Sequence, residues 1–67
     1  MIVKAKFIGK TSMGFVTCKM YNIESKIQIV NNIPCICIYD KNSNTWCPYQ
    51  SLEAVMKNWI IFRDAVN

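Results

Sequence analysis

The sequence predicts a mainly β protein: a small antiparallel SH3-like barrel of four to five strands with one short C-terminal helix, as a single domain over residues 1–67. Three observations carry that expectation. The chain has only 67 residues, 52% of them hydrophobic, which suffices for one small core and no more. Residues 2–8 and 20–30 alternate apolar and polar with period two, the signature of half-buried strands. From Leu52 the spacing of apolar residues changes to that of a helix.

The elements follow in order. Val3, Ala5 and Phe7 alternate with Lys4 and Lys6, which gives a first strand. Gly9–Gly14 (GKTSMG) supplies turn residues and reads as a loop. Over residues 20–30, Tyr21, Ile23, Ile27 and Ile29 make one face, against Asn22, Glu24, Lys26 and Gln28. The four apolar residues are expected to point into the core. Asn31-Asn32 suits a tight turn, since Asn tolerates left-handed backbone. Pro34–Tyr39 (PCICIY) is apolar on both faces, as a central strand would be. Asp40–Asn44 is a polar turn. Thr45–Cys47 forms a short strand, which Pro48 should close because it has no N–H to give a ladder. Ser51 is a good helix N-cap and Glu53 an acid in the first turn. A helix is expected over about 51–58, with Leu52, Val55, Met56 and Trp59 facing the barrel mouth. Over residues 59–64 the choice is between more helix and an extended tail, and the β-branched and aromatic cluster Trp59–Phe62 favours the tail.

Little in the composition favours catalysis. The chain has no histidine and four scattered acids, so general acid–base chemistry lacks its usual groups, and we expect no enzyme. Cys18, Cys35, Cys37 and Cys47 do not form the paired knuckles of a zinc site. They read as small buried hydrophobes, and neither a metal nor another cofactor is expected. Gly9-Lys10-Thr11 imitates the end of a phosphate loop, but Lys4 stands where the earlier glycine belongs and no helix pattern follows. No leader pattern and no apolar run of membrane length occurs in the sequence. This suggests a cytoplasmic protein with reduced thiols and no membrane partner.

Charge is uneven. Lys4, Lys6, Lys10 and Lys19 precede residue 20 without any acid, whereas four cations and four acids follow it. The simpler reading is a strand edge guarded by lysines. The alternative is a footprint for an anionic partner, with Lys4, Lys6 and Lys10 as nucleic-acid contacts. Phe15, Trp46 and Tyr49 lie in or near loops and are candidates for exposure. Phe7 and Tyr21 fall on the apolar faces of their strands.

Three fragments carry a resemblance: Ala5-Lys6-Phe7-Ile8-Gly9-Lys10, Ser12-Met13-Gly14-Phe15, and Cys47-Pro48-Tyr49-Gln50-Ser51-Leu52-Glu53-Ala54 leading to Lys57-Asn58-Trp59. Together they resemble a group of very small phage and prophage proteins of Gram-positive bacteria. The resemblance spans nearly the whole chain and implies an SH3-like barrel. It carries no activity to transfer. The chain has Cys18 where the group pattern has Gly, Gln50 where it has Ser, and Val55 where it has Phe.

These readings lead to a non-catalytic binding protein of phage or mobile-element origin that docks on a host or phage protein. By analogy of class, that extends to an inhibitor of a bacterial defence system such as a CRISPR nuclease. The expected contact residues are Lys10, Met13, Phe15, Lys19 and Trp46. Two alternatives stand beside it: a nucleic-acid-binding accessory protein using the basic first third, and a sponge that sequesters a nucleotide signal. The sequence leaves the oligomeric state open.

Overall fold

The computed structural model describes residues 2–62. Among these residues there are five strands, β1 (Val3–Phe7), β2 (Met20–Val30), β3 (Ile33–Asp40), β4 (Trp46–Tyr49) and β5 (Trp59–Phe62), with one helix, α1 (Leu52–Asn58), between β4 and β5. They form one antiparallel sheet in the order β4-β3-β2-β1-β5. The first four strands make a meander, and the helix carries the chain back so that β5 pairs with β1, with Phe7 opposite Trp59 and Lys4 opposite Phe62. This is the strand order of a small SH3-like barrel, mainly β with one short C-terminal helix.

Local chemistry sets the corners. Asn31 and Asn32 both have positive φ, 53° and 66°, between the paired residues Val30 and Ile33, as a two-residue hairpin turn requires. The Asp40 carboxylate accepts from the Asn42 N–H at 3.0 Å and the Ser43 hydroxyl at 2.9 Å. That local bonding explains how a buried acid is tolerated at the β3–β4 turn. Ser51 caps α1, its Oγ accepting from the Ala54 N–H at 3.1 Å.

The core is aromatic. Phe7, Phe15, Tyr21 and Trp59 meet ring against ring, with centroids 5.0–5.9 Å apart. Ala5, Ile23, Ile38 and Val55 complete it. The Trp59 indole N–H donates to the Tyr49 hydroxyl at 2.9 Å, which ties β5 to β4 through the core. The tail after α1 is thus extended from Trp59, as expected, and its first residue plugs the barrel. Residues 63 and 64 of the expected tail lie outside the described residues.

Six expectations need correction. β1 is not an edge strand guarded by lysines, since it pairs with β2 on one side and β5 on the other. Cys18 is exposed and not a small buried hydrophobe. Phe15 is not exposed: it is 1% accessible and sits at the centre of the aromatic cluster. The reason is a reversal at Met13-Gly14, where Ser12 and Phe15 exchange two backbone hydrogen bonds of 2.9 and 3.0 Å and the loop folds Phe15 inward. Pro48 does not close β4 but lies within it, opposite Cys37. β4 is an edge strand, and the alternation of an antiparallel ladder turns the Pro48 nitrogen to the open side, where no donor is needed. Ile27 and Ile29 are 72% and 67% exposed. β1 pairs only with Met20–Ile23 of the eleven-residue β2, so the far half of β2 runs out past the core. Leu52 and Met56 also remain mostly exposed, and α1 docks through Val55 instead of a full stripe.

Candidate binding surface

Two features on the molecule could receive a partner. The first is on the outer face of the sheet. Tyr39 in β3 pairs with Glu24 in β2 and Trp46 in β4, and opposite residues of a ladder share a face. The Tyr39 and Trp46 rings stack, with centroids 5.7 Å apart and planes 19° from parallel. The Lys26 ammonium lies 5.4 Å from the Tyr39 centroid, within cation–π range. The Tyr39 hydroxyl donates to the Gln28 side-chain carbonyl. Lys41 pairs with Glu24 at 3.0 Å, and its ammonium holds the Glu24 carboxyl below the usual range, first through the hydrogen bond and then through its charge. The stack is therefore fixed from three sides, and Trp46 still stands 39% exposed.

The 9–19 loop is brought to the start of β4 by glycine. Gly14 has φ +90°, and a Cβ there would lie 2.8 Å from Thr45 Cγ2, so only glycine lets the loop press against the residue preceding Trp46. Met13, its neighbour, has φ +55° and is 62% exposed. A methionine is unusual in a left-handed turn position that favours Asn, Asp or Gly.

The expected contact residues thus divide. Met13 lies in the turn whose Gly14 abuts the Thr45 side chain, and Trp46 follows Thr45 in the chain with its ring on the outer face against Tyr39. Lys10 and Lys19 are exposed on the same loop, with the Lys19 ammonium 5.4 Å from the Tyr21 ring centroid. Phe15 belongs to the core. Tyr49 is half-buried and bonded to Trp59. Tyr39, Lys26 and Gln28 were not singled out in the sequence. The signal for them lies in the β2–β3 register, which a sequence alone does not show.

The lysines proposed for nucleic acid lie on the outer face of β1. Lys4 stands between Phe62 and Asn22, and Lys6 between Ile60 and Met20. Ile60, Phe62 and Met20 are each 43% exposed, so the cations alternate with apolar side chains. Lys10 stands apart from β1, in the loop.

The second feature is an open apolar cleft of about 320 Å³ on the inner side, where Val3, Ile23, Ile36 and Ile38 of the sheet face Leu52 and Met56 of α1. Its walls carry no charged side chain.

The four cysteines are free thiols. Cys35 and Cys37 lie two apart on one face of β3 and are buried. Burial pushes the Cys37 thiol above its ordinary value, and neighbouring Cys35 and Cys47 add to the effect, which keeps it protonated and a poor nucleophile at neutral pH. Among the described residues no group of three or more His, Cys, Asp or Glu could hold a metal ion. No helix among them is long and apolar enough to cross a membrane.

No family model, no curated protein and no solved structure matches this chain.

Proposed function

We propose that the chain is a non-catalytic binding module of phage or mobile-element origin that docks on a host or phage protein through the Tyr39–Trp46 stack and the adjoining Met13 turn. The observation that supports this most is the exposed Trp46 ring stacked on Tyr39, with an exposed methionine held in a costly backbone conformation in the loop that meets the preceding Thr45. Tryptophan and tyrosine anchors dominate protein interfaces because they bury much area at little entropic cost. Strained residues persist where their position serves a function. Inhibition of a bacterial defence protein is the sharpest form of this reading.

Protein is favoured over nucleic acid by the company the lysines keep. Lys26 and Lys41 are already engaged with Tyr39 and Glu24, and Lys4 and Lys6 alternate with apolar residues. A phosphate backbone is served by free cations with polar neighbours, whereas a protein interface takes mixed apolar and basic surface.

Capture from nuclease-treated host lysate tests the proposal, with the unaltered protein compared against Trp46→Ala and Met13→Gly. A protein held in stoichiometric amount, and released by both substitutions, supports it. Retention indifferent to Trp46→Ala overturns the assigned surface. Capture abolished by nuclease, with binding that weakens steeply as salt rises, transfers the function to nucleic acid.

A further inference from the structure

We propose that two copies of this chain associate through the open edge of β2, over Lys26–Val30, to form a two-fold symmetric dimer with a continuous sheet. The inference rests on backbone groups. β1 reaches β2 only as far as Ile23, and among the described residues nothing lies beside Lys26–Val30 on that side. Antiparallel ladders send the backbone groups of alternate residues to opposite sides. With Val30 and Ile33 closing a two-residue turn, the N–H and C=O groups of Val30, Gln28 and Lys26 go to β3. Those of Ile27 and Ile29 go to the open edge. An edge of this kind, long and flanked by exposed aliphatic side chains, is a template for another strand.

The occupant is argued from the sequence of the edge. Residues 26–30 read Lys-Ile-Gln-Ile-Val, and the central Ile27-Gln28-Ile29 is symmetric about Gln28. Pairing with a second copy about a two-fold axis at Gln28 sets Ile27 opposite Ile29 of the other copy, twice. Four backbone hydrogen bonds form between those residues. All four isoleucines then share the inner face, with Ile29 of the second copy diagonal to Ser25, at the margin of the apolar cleft, and Asn31 of that copy opposite it. Lys26 meets Val30 and not the other Lys26, so no like charges stand opposite each other. Gln28 faces Gln28 on the outer side, where an amide can donate across the axis. An aliphatic small molecule could fill the cleft but would leave the edge N–H and C=O groups unpaired, whereas a second strand satisfies both.

Area sets the strength. A standard interface takes about 800 Å² from each partner. Ile27, Ile29, Leu52, Met56 and Ile61 are 38–72% exposed, and at roughly 100 Å² for a whole aliphatic side chain they offer on the order of 300 Å². The dimer is therefore small and concentration-dependent. The edge shares Lys26 and Gln28 with the surroundings of Tyr39 but not Trp46, which lies on β4, two strands away, so Trp46→Ala separates this proposal from the docking surface.

Sedimentation equilibrium from micromolar to millimolar protein is the test. The expected result is a monomer–dimer equilibrium whose dissociation constant rises on the order of 100-fold in Ile27→Lys. Ile27 is exposed, so the variant should keep the circular dichroism of the unaltered chain. Trp46→Ala should leave the equilibrium unchanged. In a Cys18→Ser background, Gln28→Cys should oxidise readily to a covalent dimer, because residues at the axis approach closely enough for a disulfide. Asn44→Cys, in the β3–β4 turn, should not. A single monomeric species at every concentration overturns the proposal. So does a dimer indifferent to Ile27→Lys, or cross-linking no faster through Gln28→Cys than through Asn44→Cys.

Discussion

Among the described residues, four other than glycine take positive φ: Met13, Cys18, Asn31 and Asn32. The two asparagines are ordinary there, and their turn was legible because the side chain announces it. Cys18 is not ordinary. Its φ of 71° is forced where the chain enters β2 and the Cys18 N–H donates to the Phe7 carbonyl at 2.7 Å. Glycine takes this conformation without steric cost. Cys18→Gly should therefore stabilise the protein by about 0.5–1 kcal/mol, the relief of strain exceeding the added freedom of the unfolded chain. Thermal melting checks it, with a midpoint rise of about 4 °C expected; a fall would show that the exposed thiol makes a contact worth more than the strain. Phe15 shows the limit of reading single residues. Between turn residues it looked exposed, yet a hairpin reversal of four residues carries it to the centre of the core. Only the three-dimensional closure of the loop could show that.

At the level of elements, strand and helix positions were largely legible from period, and depth was not. β2 was read over its full length, Met20–Val30, and Ser51 was found as the cap. Alternation states which residues share a face but not how far the neighbouring strand covers it. Ile23 is buried and Ile27 exposed on the same face, because β1 is five residues long. Leu52 and Val55 belong to one helical stripe, yet only Val55 meets the core. The difference should appear in stability. Phe15→Ala should cost about 3–5 kcal/mol, the range for a buried aromatic, and leave little folded protein in so small a domain. Leu52→Ala should change stability by no more than about 0.5 kcal/mol. Urea unfolding of the two variants decides it, and comparable losses would place Leu52 inside the core.

The link between β4 and β5 has its own signature. Burial pushes the Tyr49 hydroxyl from 10.0 up to about 12, against the opposing hydrogen bond from Trp59. A raised folded value favours the protonated form in the folded state. The associated stability is full below the ordinary tyrosine range and is lost as pH rises from about 10 towards 12, since the unfolded chain ionises first. Cys37, shifted in the same direction, begins its loss near the ordinary thiol value. Midpoints measured across alkaline pH should fall in that window, and Tyr49→Phe should flatten the upper part of the fall.

Over the whole molecule, the net charge of +4 had suggested a basic end for an anionic partner. The fold instead spreads the early lysines among apolar neighbours on the outer face of β1 and along the 9–19 loop. Apolar surface is left open on both sides of the sheet, and it is this surface that the proposed docking site and dimer edge would cover. The two tryptophans give a direct test, since one lies in the core and the other on the proposed docking surface. Protein labelled with 5-fluorotryptophan has two fluorine resonances, and titration with the captured partner should shift or broaden that of Trp46 while Trp59 stays in place. A partner that leaves Trp46 untouched, or a nucleic acid that moves it as far, would contradict the assignment.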